Sequence, residues 1–147
     1  MVVRYKKIKS YNMTEEELRE IWRIEYCESE IRTFDNILVQ FYAKMFDHCF
    51  FESADRRAKD KSLLSLNRLE KIYWIKDALQ DPDAVLKVGW DNKKKSYDNQ
   101  RRVALVKGNY VVIIVIFKPQ KARFITAYEV SDDDNLAKIK GGPDFKT

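Results

Sequence analysis

A chain of 147 residues, 45% hydrophobic and 13% aromatic, is long enough to bury one sizeable core. Glycine is scarce at 4 and proline at 3, which excludes collagenous and low-complexity Pro/Gly-rich classes. The net charge of +5, from 28 Lys and Arg against 23 Asp and Glu, suits an anionic partner and is equally a solubility device.

Val2–Tyr11 alternates weakly and reads as a short strand or an arm. It lacks the apolar run of a signal peptide, and no later stretch approaches transmembrane length, so no membrane attachment and a cytoplasmic location are expected. Thr14 followed by Glu17 is a capping box, with acids filling the first helical turn. Leu18, Ile21, Trp22 and Tyr26 follow at helical spacing, and Ile31, Phe34, Leu38, Phe41 and Met45 extend a 3–4 period to about Phe46. This predicts one long helix, or two broken near "CESE". The segment "DHCFFESADRRAKDKS", Asp47–Ser62, breaks the pattern and holds the only histidine, His48, before a dense charged run.

From Leu63 or Ser65 to Leu79, the positions Leu66, Leu69, Ile72, Tyr73, Ile75 and Leu79 predict another amphipathic helix, stopped by "QDPDA". A meander follows: Ala84–Trp90, a polar loop "DNKKKSYDN", Arg101–Lys107, the turn "KGN", and a final hairpin. Tyr110–Phe117 is an unbroken β-branched and aromatic run, which reads as a central strand covered on both faces. "KPQK" turns it back into Ala122–Val130, where Thr126 and Tyr128 emerge on one face about 7 Å apart. Two hydroxyls on a rigid strand can line a polar site, but composition alone favours reading them as plain β-formers. Residues 131–147, with "SDDDN" and "KGGPDF", read as a tail. Helices first and a sheet second is an α+β order. We therefore expect one domain over residues 1–147, its N-terminal helices packed on a twisted antiparallel sheet of about four strands.

No phosphate-binding glycine loop, nucleophile elbow, CxxC or Cys/His cluster is present, and Cys27 and Cys49 support neither a disulfide framework nor a zinc site. No cofactor or metal is expected. What remains is His48, the cationic run Arg56, Arg57, Lys59 and Lys61, and the pair Thr126 and Tyr128. Metal-free RNA cleavage needs such parts: a group to move protons near neutrality, and cations or hydroxyls to stabilise a charged phosphorane. Each part has an ordinary alternative, since a histidine at a helix end often caps or packs and a charged run is often a solvated face.

The run from "DHCFFES" through "SLLSLNRLEKIYWIKDALQDPDAV" to "RFITAYEV" resembles the phage-associated nuclease group of the barnase, EndoU, colicin and RelE-like (BECR) ribonuclease superfamily. The resemblance covers His48 to Val130, sharpest at "RLEKIYWIKDALQDPD" and at "TAY". It implies a toxin-like ribonuclease core over residues 48–130, with 1–47 an N-terminal helical part outside the resemblance. It also implies an active site of His48, a basic residue that is either Arg57 or Lys59, and Thr126 with Tyr128, with Arg56, Lys61 and Arg123 binding RNA. The implied reaction is metal-independent endoribonucleolytic cleavage by 2′-hydroxyl transesterification, with transfer RNA the preferred substrate and a cognate inhibitor (immunity) protein a possible partner. The alternative is a non-catalytic RNA- or protein-binding module of a phage or mobile element; a purely structural component comes third.

Overall fold

A computed structural model describes residues 5–52, 63–88, 90–91, 96–97, 102–130 and 137. The first helix, α1 (Glu15–Trp22), starts as its capping box dictates. The Glu17 amide donates to Thr14 Oγ1 at 3.1 Å, and the Thr14 amide donates to Glu17 Oε1 at 3.0 Å. A π turn, Arg23–Cys27, prolongs it and delivers Tyr26 to the same buried side as Leu18 and Trp22.

The helix expected to continue to Phe46 is instead a strand pair, β1 (Ile31–Arg32) and β2 (Leu38–Gln40). The turn chemistry of "TFDN" wins over the apolar spacing. The Ile37 amide donates to Thr33 Oγ1 at 2.9 Å, and Asn36 takes the left-handed conformation with φ 70°. Burial then alternates: Ile37, Val39 and Phe41 are buried while Gln40 is not. A short helix, α2 (Met45–Phe50), follows and leads into β3 (Phe51–Glu52), which pairs with β4 (Leu63–Leu64).

The helix expected to reach Leu79 is also divided, into α3 (Leu66–Leu69) and α4 (Trp74–Leu79). The Tyr26 phenol sits at the break, donating to the Ile72 carbonyl and accepting from the Lys76 amide at 3.2 Å, so a side chain interrupts the helical ladder. The rest runs β5 (Val85–Val88), a two-stranded pair β6 (Trp90–Asp91) and β7 (Ser96–Tyr97), then β8 (Arg102–Lys107), β9 (Tyr110–Lys118) and β10 (Lys121–Glu129). Gly108 supplies φ 59° in the turn before β9.

The main sheet has six strands in the order β1-β2-β10-β9-β8-β5 rather than about four. It is mixed rather than antiparallel throughout, because β2 runs parallel to β10 over Lys121–Arg123. As expected, β9 is interior and buried on both faces, with Val111 on one and Val112 on the other. The architecture is α+β, and among the described residues no helix is long and apolar enough to cross a membrane.

The helices cover one face, which we term the core face. Here the Trp22 ring meets Tyr26 at 4.8 Å and Phe41, Phe50 and Phe124 at 5.5 Å each, and its Nε1 donates to the Tyr42 carbonyl at 3.1 Å. Such aromatic pairs add about 0.5–1.5 kcal/mol each beyond their buried area. The second face carries a smaller cluster of Ala104, Val106, Val111, Ile113 and Val130, with Ile125 and Tyr128 packed against it.

At the end of α4, buried Asp81 accepts from the Asp83 amide (2.8 Å) and the Tyr5 hydroxyl (2.8 Å), and pairs with Lys107 (3.3 Å). Burial works to raise its pKa, but these three partners together outweigh it and hold the carboxyl below its ordinary value of 3.8. A depressed folded value makes Asp81 stabilising above pH about 4, and that contribution disappears as pH falls through the folded value. Thermal melting of wild type and Asp81→Asn from neutral to strongly acid pH should therefore show the wild type ahead at neutrality and the gap closing in acid. A gap that is constant with pH would contradict this assignment.

Candidate functional site

The site is built on β10. Its register with β9 slips between Phe124, opposite Ile114, and Thr126, opposite Ile113, leaving Ile125 as an extra residue. This bulge changes the phase of the strand. Before it, Ala122 and Phe124 face the core; after it, Ala127 does so, while Thr126 and Tyr128 lie over Ile113 and Val111 on the second face. The two hydroxyls thus share a face, as alternation predicts, and both residues are half-buried.

The opposite edge of β10 pairs with β2 only as far as Arg123. Beyond that point α2 packs against it, and the Cys49 thiol donates to the Ala127 carbonyl at 3.6 Å. A helix over an otherwise open strand edge is a common way to protect it. His48 precedes Cys49 in the last turn of α2 and is exposed. The fold therefore brings the helix bearing His48 to β10 between Thr126 and Tyr128. The helix itself buries Phe46, Cys49 and Phe50 in the core, whereas the two hydroxyl residues turn to the second face.

A cation that the sequence reading passed over joins these parts. Arg68, on α3, donates from Nη1 to the Cys49 carbonyl at 3.0 Å, tying α3 to the end of α2. Its charge also reaches Tyr128. Burial raises the Tyr128 pKa, and Arg68 offsets part of that rise. The net shift is upward, so the phenol keeps its proton at neutrality. In "SLNRLEK" only the start of α3 was legible, where Ser65 caps the helix by accepting from the Arg68 amide at 3.4 Å; the partners of the Arg68 side chain are distant in sequence.

Arg123 is exposed on the second face of β10, with its guanidinium 5.8 Å from the centre of the Phe117 ring. Arg56, Arg57, Lys59 and Lys61 lie outside the described residues, as do the lysines of the "NKKKS" loop and the acidic run Asp132–Asp134. On either side of the 53–62 segment, β3 follows α2 directly and pairs with β4. Among the described residues no three of His, Cys, Asp and Glu gather where they could hold a metal ion. A separate groove of ≈ 350 Å³ along α1 is lined by Glu15, Glu16 and Glu20 together with Arg19 and Arg23, which pair with Glu15 and Glu20. No family model, curated protein or solved structure matches this chain.

The Arg68–Tyr128 interaction is open to measurement. With ring-labelled tyrosine, the Tyr128 resonance of the Arg68→Ala protein should titrate at higher pH than in wild type, because the neighbouring positive charge that favours phenolate is gone. An unchanged titration midpoint would remove Arg68 from the site.

Proposed function

We propose that this chain is a metal-independent endoribonuclease that cleaves RNA through the 2′-hydroxyl. The observation that supports this reading is that α2, tied to α3 by Arg68, packs on β10 at Ala127, so the helix turn bearing His48 lies against the strand that carries Thr126 and Tyr128. In the proposed reaction the 2′-oxygen attacks phosphorus, the bond to the 5′-oxygen breaks, and a 2′,3′-cyclic phosphate forms. His48 takes the 2′-proton while solvent water protonates the departing 5′-oxygen, or His48 protonates the 5′-oxygen while water takes the 2′-proton. Thr126 donates a hydrogen bond to a phosphate oxygen, and the protonated Tyr128 phenol donates another. The cation that stabilises the phosphorane is Arg57 or Lys59, as the family resemblance implies, or Arg68, as its contacts suggest.

Transfer RNA is the proposed substrate class and a cognate inhibitor protein a proposed partner, both by resemblance to toxin ribonucleases alone. A second reading, a non-catalytic RNA-binding module, draws support from the cations at the tip of the β9–β10 hairpin. The two readings separate in one assay. Purified protein incubated with total RNA should cut it in the presence of a chelator, and His48→Ala should lower the rate by about 10²–10⁴-fold with unchanged melting. Removing the Thr126 donor should cost about 10²–10³-fold. Activity abolished by the chelator and restored by magnesium would contradict the proposed chemistry, and intact RNA under all conditions would favour the binding module.

A further inference from the structure

We propose that the hairpin end of the sheet's second face is a platform for single-stranded RNA, continuous with the site on β10. The proposal deepens the nuclease reading by naming the form of RNA held, and rests on it for the choice of RNA among polyanions. The platform follows from register. A second irregularity, between Lys121 and Ala122, leaves Phe117 as an extra residue on β9 opposite that step. Phe117 and Lys118 thereby fall on the same side as Lys121 and Arg123, away from the core that holds Ala122 and Ile116. The stack of Arg123 over Phe117 confirms the shared side. Gln40, level with Arg123 on the parallel neighbour β2, extends the face sideways.

Two properties of this patch point to a nucleic-acid strand. Phe117 is 37% exposed, a flat ring held at the surface with a guanidinium beside it. Aromatic rings on sheet faces are stacking surfaces for unpaired bases, and arginine planes add to them. The second property is charge. Lys118, Lys121 and Arg123 are all exposed, and among the described residues none has an acid within ion-pair distance, whereas Arg19, Arg23, Arg32 and Lys76 are each paired with acids. Three unneutralised cations around one exposed ring suit phosphates flanking a stacked base. The direction of the strand also fits: Arg123 and Thr126 share the second face of β10, about 10 Å apart along it, so RNA lying on the hairpin leads towards the two hydroxyls. A base paired in a duplex cannot stack on Phe117, which is why the single-stranded form is named.

The test uses a fluorescent, fully 2′-O-methylated oligonucleotide of about twelve nucleotides, a length matching common single-strand sites and lacking the hydroxyl needed for cleavage. Anisotropy titrations of the full chain at about 50 and about 200 mM salt should give a steeper salt dependence for wild type than for the Lys118→Ala/Lys121→Ala/Arg123→Ala variant. The slope of log K against log salt should differ by about 2. Phe117→Ala should weaken binding at least about fivefold with the slope unchanged, and Phe117→Trp should retain it. An unchanged slope in the triple variant, or no loss in Phe117→Ala, overturns the platform. So does equal binding of a base-paired hairpin of the same length, or loss of anionic-vesicle binding alone in the triple variant. Cleavage of total RNA is scored separately. Binding without any cleavage by wild type leaves the platform standing and removes the nuclease reading. Cleavage with unaltered binding in the variants does the reverse.

Discussion

One extra residue in β10 governs both the core and the site. In an uninterrupted strand Phe124, Thr126 and Tyr128 would share a face, and either a phenylalanine would be exposed or two hydroxyls would be buried among aromatic rings. Ile125 removes the conflict. It opposes the same stretch of β9 as Thr126, so Phe124 turns inward to stack on Phe41 at 5.1 Å and meet Trp22, while the hydroxyls turn outward. The aromatic cluster that docks α1 and α2 onto the sheet thus depends on the same irregularity that separates Thr126 and Tyr128 from it. Bulges recur beside functional sites for this reason: they re-aim a side chain without giving up strand pairing on either side.

A second constraint is the short reach of β2. Its parallel pairing stops at Arg123, and the uncovered part of β10 is where α2 docks and where Arg68 ties α3 to α2. The chemistry proposed for this junction asks little of the protein beyond placement. The substrate's own 2′-hydroxyl stands beside the phosphorus, and that proximity replaces much of what an externally activated water would require. A proton carrier, a cation and hydroxyl donors are then sufficient in kind.

Much of the C-terminal half, and the start of α1, was legible in the sequence. The run Tyr110–Phe117 was apolar on both faces and lies inside the sheet; Gly108 marked its turn; the capping box at Thr14 and Glu17 set the start of α1. The N-terminal half misled because Ile31, Phe34, Leu38 and Phe41 fit a helical period by coincidence. The deciding signal was local: Thr33 and Asn36 offer hydrogen bonds and a left-handed turn that no helix interior uses. The break between α3 and α4 could not be read from its own residues, since its cause is the Tyr26 phenol arriving from a distant helix. The alternation of Thr126 and Tyr128 was legible, whereas the bulge that sets Phe124 against them depends on pairing with β9. Arg68 was hidden for a similar reason, because its significance lies in the Cys49 carbonyl and Tyr128 that it approaches in space.

The central claim is that the nucleophile in the reaction is the RNA's own 2′-hydroxyl, acting at the junction of α2, α3 and β10. The most direct measurement replaces the single ribose at a mapped cut site by 2′-deoxyribose and compares cleavage rates on otherwise identical strands. The account predicts that cleavage at that position is lost, while neighbouring sites are still cut to leave 2′,3′-cyclic phosphate and 5′-hydroxyl ends. Undiminished cleavage of the deoxy-substituted strand would identify water as the nucleophile and contradict the account.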